Sequence, residues 1–267
     1  DWSHWLPCNG AIAIQTESVE AAKPYVTCTA HHAGWQWHIP LQHRVGNGNV
    51  FCSDFMSDDQ AKQYLLDNVK GKVLTEPRVI KYKTGRREVF WNRNCIALGL
   101  SSGFVEPLES TSIYMFMNGI VRLMKMFPFH GVTQTSIDEY NKQSIAELEN
   151  IRDFIILHYH VTSREDSEFW RYCKNMSVPD SLSHRIEMFK ENGLAFQGER
   201  ELFRLESWTH VMLGQGIMPK NYHSIFKTMS DEELVNHLTN TRNTIANAVA
   251  KLPNHQDFVN QYCKAPR

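Results

Sequence analysis

Residues 94–126, NCIALGLSSGFVEPLESTSIYMFMNGIVRLMKM, join a strand-like part of the chain to a helical part. The apolar run at residues 95–98 predicts a buried strand. The small residues that follow, among them Gly99 and Gly103, let a backbone approach a ligand or another chain segment closely. From Ile113 to Met124 the apolar residues recur at helical spacing, which predicts a helix that ends near Pro128.

The elements on either side of this stretch predict the fold class. Upstream, strands are expected at residues 11–16, 25–32, 35–41, 73–82 and 87–91, with a hairpin turn at Asn47-Gly48, a turn at Thr84-Gly85 and a helix over 58–68 capped by Ser57. Downstream, a capping box at Ser136 predicts a helix over residues 136–160. Further helices are expected at residues 164–173, 180–192 and 200–213, and after a second capping box at Ser230. The prediction is an α+β protein with a strand-rich part at 1–130 and a mainly helical lobe at 131–267.

Composition excludes several classes of protein. The chain has 267 residues, 42% of them hydrophobic, so it can bury a substantial core. Its net charge of −1 gives no pull towards nucleic acid or anionic membranes, and no apolar run approaches a membrane span. The six cysteines form no CxxC pair, which favours reduced thiols and a cytoplasmic location. The chain shows no signal peptide and has no initiator methionine, so we expect it to be part of a longer protein.

Glu109 is the most suggestive titratable residue. It precedes the predicted helix together with Ser110 and Thr111, and the simplest interpretation is helix capping. Because backbone N–H groups at a helix start also bind anions, a cofactor or anion site with Glu109 as a base is the alternative. The pairs His31-His32 and His158-x-His160 lack further ligands at confirming spacing, so a metal site is not expected.

Two motifs resemble a known family. Residues 35–40, WQWHIP, resemble the WxWxIP signature of flavin-dependent halogenases, the tryptophan halogenase family, and residues 104–111, FVEPLEST, resemble its FxEPLEST segment. Both motifs occur in the family's order, and a helical remainder follows. The resemblance covers essentially the whole chain, which matches about the C-terminal half of the family's usual length. It implies part of a flavin monooxygenase-like α/β fold.

The resemblance also implies a reaction. A member of this family uses FAD, supplied as FADH2 by a separate flavin reductase, with oxygen and chloride or bromide. It halogenates an electron-rich aromatic substrate of the indole or phenol type. A catalytic lysine, with a glutamate beside it, directs the halogen. No nucleic-acid or membrane partner is implied, and a homodimer is compatible with the resemblance.

Residue roles follow from the resemblance alone. Glu109 matches the active-site glutamate, and Thr111 and Ser112 match the two positions that hold the halide. Trp35 and Trp37 match the signature tryptophans along the tunnel between flavin and substrate. The segment against the flavin ring comprises Ser102, Gly103, Phe104, Val105, Pro107 and Ile113. The segment with Phe203 and Trp208 is shorter than the insertion of tryptophan-specific members, and these two rings are candidates for substrate contact, with core packing as the alternative.

Three features depart from the family pattern. The chain contains no GxGxxG motif, and none of its lysines lies in the context of the catalytic one. Ser112 replaces a glycine that is common in the family. Two other functions therefore stay open: a flavin-dependent aromatic hydroxylase, and a non-catalytic binding remnant that lacks the flavin-binding half.

Overall fold

The computed structural model describes residues 1–198 and 201–265, which form two compact units. The first unit comprises Asp1–Asn9, Cys52–Phe55 and Lys81–Lys220, and the second comprises Gly10–Phe51, Met56–Ile80 and the described residues from Asn221 onward. The predicted division at residue 130 stays a prediction.

The second unit is built on a five-stranded sheet whose strand order is β2-β3-β4-β1-β5. Neighbouring strands among β1 to β4 pair antiparallel. The bounds are β1 Gly10–Thr16, β2 Thr27–His31, β3 Gly34–Pro40, β4 Val45–Phe51 and β5 Arg78–Lys81. Helix α1, Asp58–Asp67, begins with the predicted cap at Ser57, which forms a capping box with Gln60. The unit also contains α7 Asp231–Val249, which begins with the predicted capping box at Ser230, and α8 His255–Phe258.

The hairpin predicted at Asn47-Gly48 is wrong, because both residues lie inside the continuous strand β4. The chain reverses earlier, where the Leu41 amide donates to the Arg44 carbonyl oxygen. Asn47 is buried, and its side chain bonds to Thr16 and His38. Gly48 pairs with Trp37, and an added Cβ would lie 1.9 Å from Cζ2 of that indole. The Asn-Gly pair therefore serves side-chain packing rather than a turn.

The first unit is mainly helical. Two short antiparallel pairs, β6 Gly85–Arg86 with β9 Gly103–Phe104 and β7 Trp91–Asn92 with β8 Cys95–Ile96, precede its helices. The helices are α2 Ser112–Lys125, α3 Gln134–His160, α4 Glu168–Asn175, α5 Asp180–Asn192 and α6 Leu205–Gly214. The strands precede most of the helices along the chain. This order confirms the predicted α+β class.

Helix α3 is the centre of the first unit. From Ile151 to Tyr159 it is buried on nearly every side, and it contacts α2, α4, α5 and α6. Most of the residues in this stretch are apolar, and its two charged residues, Arg152 and Asp153, pair with each other at 2.7 Å. Its N-cap is Thr133, whose side chain accepts from the Ser136 amide, so the predicted capping box at Ser136 is wrong although the helix is confirmed.

Other predicted bounds differ from the structure. Residues 95–98 are not a buried strand: only Cys95 and Ile96 pair, and Cys95 is exposed. Gly85, predicted as a turn, is extended and paired. Helix α6 begins at Leu205 rather than at residue 200, which lies outside the described residues.

The helix predicted after residue 112 is confirmed as α2, but the apolar face of this helix is exposed in the described part of the chain. Ile113 is 63% exposed, and Met117, Ile120, Val121 and Met124 are also exposed.

Among residues 1–198 and 201–265, no helix is both long and apolar enough to cross a membrane.

Candidate active site at the start of helix α2

The loop that leads into α2 carries two carboxyl groups in different surroundings. Glu106 is fully buried, and its Oε1 accepts a 2.5 Å hydrogen bond from the Tyr159 hydroxyl. The Glu109 side chain is 38% exposed, and its Oε1 lies 3.1 Å from Nε2 of His158. Because His158 and Tyr159 are consecutive in α3, the end of one helix contacts both motif carboxyls.

The Tyr159 hydroxyl also contacts a buried thiol. Its hydroxyl lies 3.6 Å from Sγ of Cys8, which is also fully buried. Since the single phenolic proton is donated to Glu106, the thiol donates to the phenol oxygen. Burial, followed by the nearby Glu106 charge, raises the pKa of the Cys8 thiol well above its ordinary value. Burial likewise raises the pKa of Tyr159. Both groups therefore stay protonated at neutral pH.

The backbone of the loop is strained at Glu109 and Ser110. Their φ angles are +67° and +53°, so two successive residues with side chains adopt the left-handed region. Such a conformation costs on the order of 1–3 kcal/mol per residue and persists only where other contacts hold it. The Glu109 carboxylate lies against His158, and no side chain makes a capping bond at the start of α2. The capping interpretation of Glu109 is therefore wrong.

The start of α2 lacks a side-chain cap. Thr111 is its N-cap residue, but the Thr111 hydroxyl makes no capping bond. That hydroxyl is buried and has no hydrogen-bond partner among the described residues. The N–H groups of a first helical turn have no intrahelical partner, and they lie at the positive end of the helix dipole. This helix start therefore offers donors that suit a small anion.

A cavity of about 150 Å³ lies beside the loop within the first unit. Its lining includes Ser102, Gly103 and Ser112, together with Arg122 and Glu147. Arg122 and Glu147 form a buried ion pair at 2.8 Å. The cavity therefore gathers three of the residues singled out by sequence, with a charged pair at its wall.

The remaining flavin-segment residues differ in their surroundings. Val105 is fully buried, and the Phe104 ring packs edge-on against Tyr82 at 5.0 Å. A Cβ at Gly103 would lie 2.8 Å from the Gly85 carbonyl oxygen, so strand pairing explains this glycine. Pro107 is half-buried, and Ile113 is exposed.

The signature tryptophans belong to the second unit. Trp35 is buried and Trp37 is half-buried on strand β3, and their ring centroids are 5.9 Å apart. Trp37 covers Gly48, as described above. The structure therefore gives both indoles a packing role in the sheet.

Phe203 and Trp208 lie in the core of the first unit. The Phe203 ring stacks on Phe154 at 3.8 Å, and Trp208 meets Phe154 edge-on at 4.8 Å. Trp208 is fully buried, with the guanidinium of Arg185 4.0 Å from its ring centroid. Both rings therefore pack in the core, as the alternative interpretation expected. A contact of either ring with the substrate stays a prediction.

The position of His158 is not predictable from the sequence pattern. The sequence pairs it with His160, whereas in the structure the His158 ring contacts Glu109 and the His160 ring faces the Cys173 carbonyl. No group of three or more potential metal ligands converges within the described part of the chain. No local pattern could have paired His158 with Glu109, because the contact depends on how α3 packs against the loop.

Comparison with known proteins places this geometry in context. Residues 1–231 match the sequence model of a family described as tryptophan halogenase. A 7-chloro-L-tryptophan 6-halogenase of Kutzneria sp. (strain 744) is 39% identical over 189 residues, which cover 69% of this chain and 37% of that protein.

Solved structures agree with this match. A flavin-dependent halogenase from Xanthomonas campestris superposes with a TM-score of 0.98 at 47% identity, over 100% of this chain and 54% of that one. A second, from Brevundimonas sp. BAL3, gives a TM-score of 0.93 at 44% identity, over 97% and 53% of the two chains. The chain thus spans about half the length of the solved structures it matches.

Proposed function

Since the chain belongs to the tryptophan halogenase family, we propose that it supplies the halide-holding and substrate-directing loop of a flavin-dependent halogenase. The product would be a chlorinated or brominated aromatic compound of the indole or phenol type. One observation carries the proposal: in Glu109–Ser112 a carboxylate held by His158 is followed by a buried hydroxyl and an uncapped helix start.

The halide would lie at Thr111 and Ser112. A halide accepts hydrogen bonds and needs donors more than it needs cations. The buried Thr111 hydroxyl has no described partner, so it can donate without breaking a bond within the described residues. Ser112 opens α2, where free N–H groups point out of the helix. The side chain of Ser112 does not block this role, because the donors are backbone groups.

FAD, reduced by a separate reductase, would lie against Ser102–Val105, Pro107 and Ile113. When bound, the flavin supplies the oxidation of the halide by oxygen. The residues fit a large planar group, since Gly103 and Pro107 are half-buried and Ile113 leaves an apolar side chain uncovered. This chain's part is to cover the ring and to exclude water from it.

Glu109 would act on the aromatic substrate. Its carboxylate is 38% exposed, so it can reach a bound ring while His158 holds one of its oxygens. A carboxylate in that position orients the ring and accepts the proton released when a halogen replaces it. Trp35 and Trp37 would separate the substrate from the flavin.

The test is halogenation by the intact gene product that contains these residues. With flavin, a reductase, oxygen and bromide, the wild-type protein should give an aromatic product with the bromine isotope pair. The substitution Glu109→Gln should nearly abolish this product while flavin binding, measured by absorbance, is retained. Glu187→Gln, at an exposed residue paired with Lys190, is the matched control and should react normally. A Glu109→Gln protein that halogenates at the wild-type rate would disprove the role, and products that gain only oxygen would indicate a hydroxylase.

A further inference from the structure

The last turn of α3 presents a histidine whose two ring nitrogens both have partners. Nδ1 of His158 lies 2.8 Å from the Phe154 carbonyl oxygen, and Nε2 lies 3.1 Å from Oε1 of Glu109. A carbonyl oxygen can only accept, so Nδ1 must carry a hydrogen. The ring orientation is therefore set from inside the helix, and Nε2 is directed at the loop.

Packing holds the same ring in place. The Phe154 ring lies perpendicular to the imidazole at a centroid distance of 4.8 Å. Phe154 is itself buried and stacked on Phe203. Rotation of the imidazole would therefore break a hydrogen bond and an aromatic contact together.

The contact with Glu109 joins Nε2 to one carboxylate oxygen at 3.1 Å. Because Nδ1–H is used by Phe154, Nε2 is the ring nitrogen that faces the loop. The side of the imidazole that meets Glu109 is therefore fixed by the helix.

An ordinary surface ion pair is the competing interpretation. Side chains that are 22% and 38% exposed gain about 0–1 kcal/mol from pairing, so stability alone gives little reason for this contact. A histidine in the last turn also favours the helix dipole, which needs no partner in the loop. Neither effect explains why His158 contacts Glu109, whose backbone lies in the left-handed region. A strained loop keeps such a conformation only where contacts with the surrounding structure stabilise it.

We propose that His158 is a positioning residue for Glu109: its ring, held by Phe154, fixes the direction of the carboxylate. The inference rests on the proposed function. It assigns no contact between His158 and the substrate, so removal of His158 should act on turnover rather than on substrate affinity.

Two substitutions separate the polar contact with Glu109 from ring packing. His158→Phe keeps a ring against Phe154 but removes the polar atom that faces Glu109, whereas His158→Gln can place an N–H near the position of Nε2. In the intact protein, His158→Phe should lower kcat by about tenfold or more with KM changed by about twofold at most. His158→Gln should recover most of that loss. His160→Gln, on the same helix but bonded to the Cys173 carbonyl, is the control and should retain wild-type kcat.

A second readout does not depend on activity. With ¹⁵N-labelled histidine, the Nε2 resonance of His158 should move when Glu109 becomes Gln, whereas that of His160 should not. A His158→Phe protein with wild-type kcat, or a His158 resonance that ignores Glu109→Gln, would overturn the inference while halogenation by the wild type stands. Absence of any halogenated product from the wild-type protein would instead overturn the proposed function, and this inference with it.

Discussion

At the scale of single residues, the two carboxyls of the loop show how surroundings divide roles between like groups. Glu106 is buried against a phenol, whereas Glu109, three residues on, is partly exposed and paired with an imidazole. A buried carboxyl depends on its hydrogen-bond donors, since water cannot replace them. Glu106 therefore anchors the loop, whereas Glu109 keeps part of its carboxylate exposed.

The anchoring role predicts the effect of removing one hydroxyl. Tyr159→Phe takes a donor from Glu106 and an acceptor from Cys8 without changing the ring. We expect the free energy of unfolding to fall by about 1–3 kcal/mol, as measured by urea denaturation. Tyr172→Phe removes an exposed hydroxyl that bonds to the His4 carbonyl and should change it by less than about 0.5 kcal/mol. Equal losses in the two variants would contradict the anchoring role.

At the scale of elements, the sheet of the second unit depends on one glycine in β4. Strand β3 places Trp37 opposite Gly48, and the indole occupies the space that a side chain on β4 would need. A large ring on one strand and a glycine on the next form a complementary cross-strand pair. The tryptophan signature and the Asn-Gly pair, separate in sequence, are thus one packing unit.

A substitution on β4 tests this pairing. An alanine Cβ at position 48 would lie 1.9 Å from the Trp37 ring, whereas one at Gly46 would meet only Ile39, at 3.9 Å. We expect Gly48→Ala to lower the free energy of unfolding by about 1–3 kcal/mol or more, because the ring must leave its position. Gly46→Ala is the matched control on the same strand and should be close to neutral in chemical denaturation. Similar midpoints for both variants would refute the packing role of Gly48.

At the scale of the whole molecule, the six cysteines are free thiols, and they divide evenly between buried and exposed positions. Cys28, Cys95 and Cys263 are exposed, whereas Cys8, Cys52 and Cys173 are buried in the first unit. Burial raises the pKa of each of these three thiols. Burial also raises the pKa of the Tyr82 phenol well above its ordinary value.

These shifts predict loss of stability at alkaline pH. The folded chain keeps protons on Cys8, Cys173 and Tyr159 at pH values where the unfolded chain releases them. Their contribution is complete below the ordinary thiol pKa of about 8.5 and falls as the pH rises beyond it. The urea midpoint should therefore decrease between about pH 8 and pH 10. A midpoint that rises or stays level over that interval would contradict the assignment of buried, protonated groups.

The sequence by itself determined the features that depend on neighbouring residues. Periodicity and end signals gave the full extent of α5, with Gly193 in the left-handed conformation just past its end, the cap at Ser57 and the capping box at Ser230. They act within one helical turn, so their physics is contained in a few adjacent residues. The two motifs, which are also local in sequence, indicate the family.

Only the tertiary structure decided the features that depend on distant residues. Asn47-Gly48 has the local chemistry of a turn, but Trp37 and Thr16 occupy the space that keeps it within a strand. Glu109 has the local chemistry of a cap, but packing of α3 brings His158 to it instead. Local preferences are worth about 1 kcal/mol or less, and packing and buried hydrogen bonds outweigh them. Residue types thus indicated the chemistry of the loop, and the three-dimensional fold determined which partner each carboxyl received.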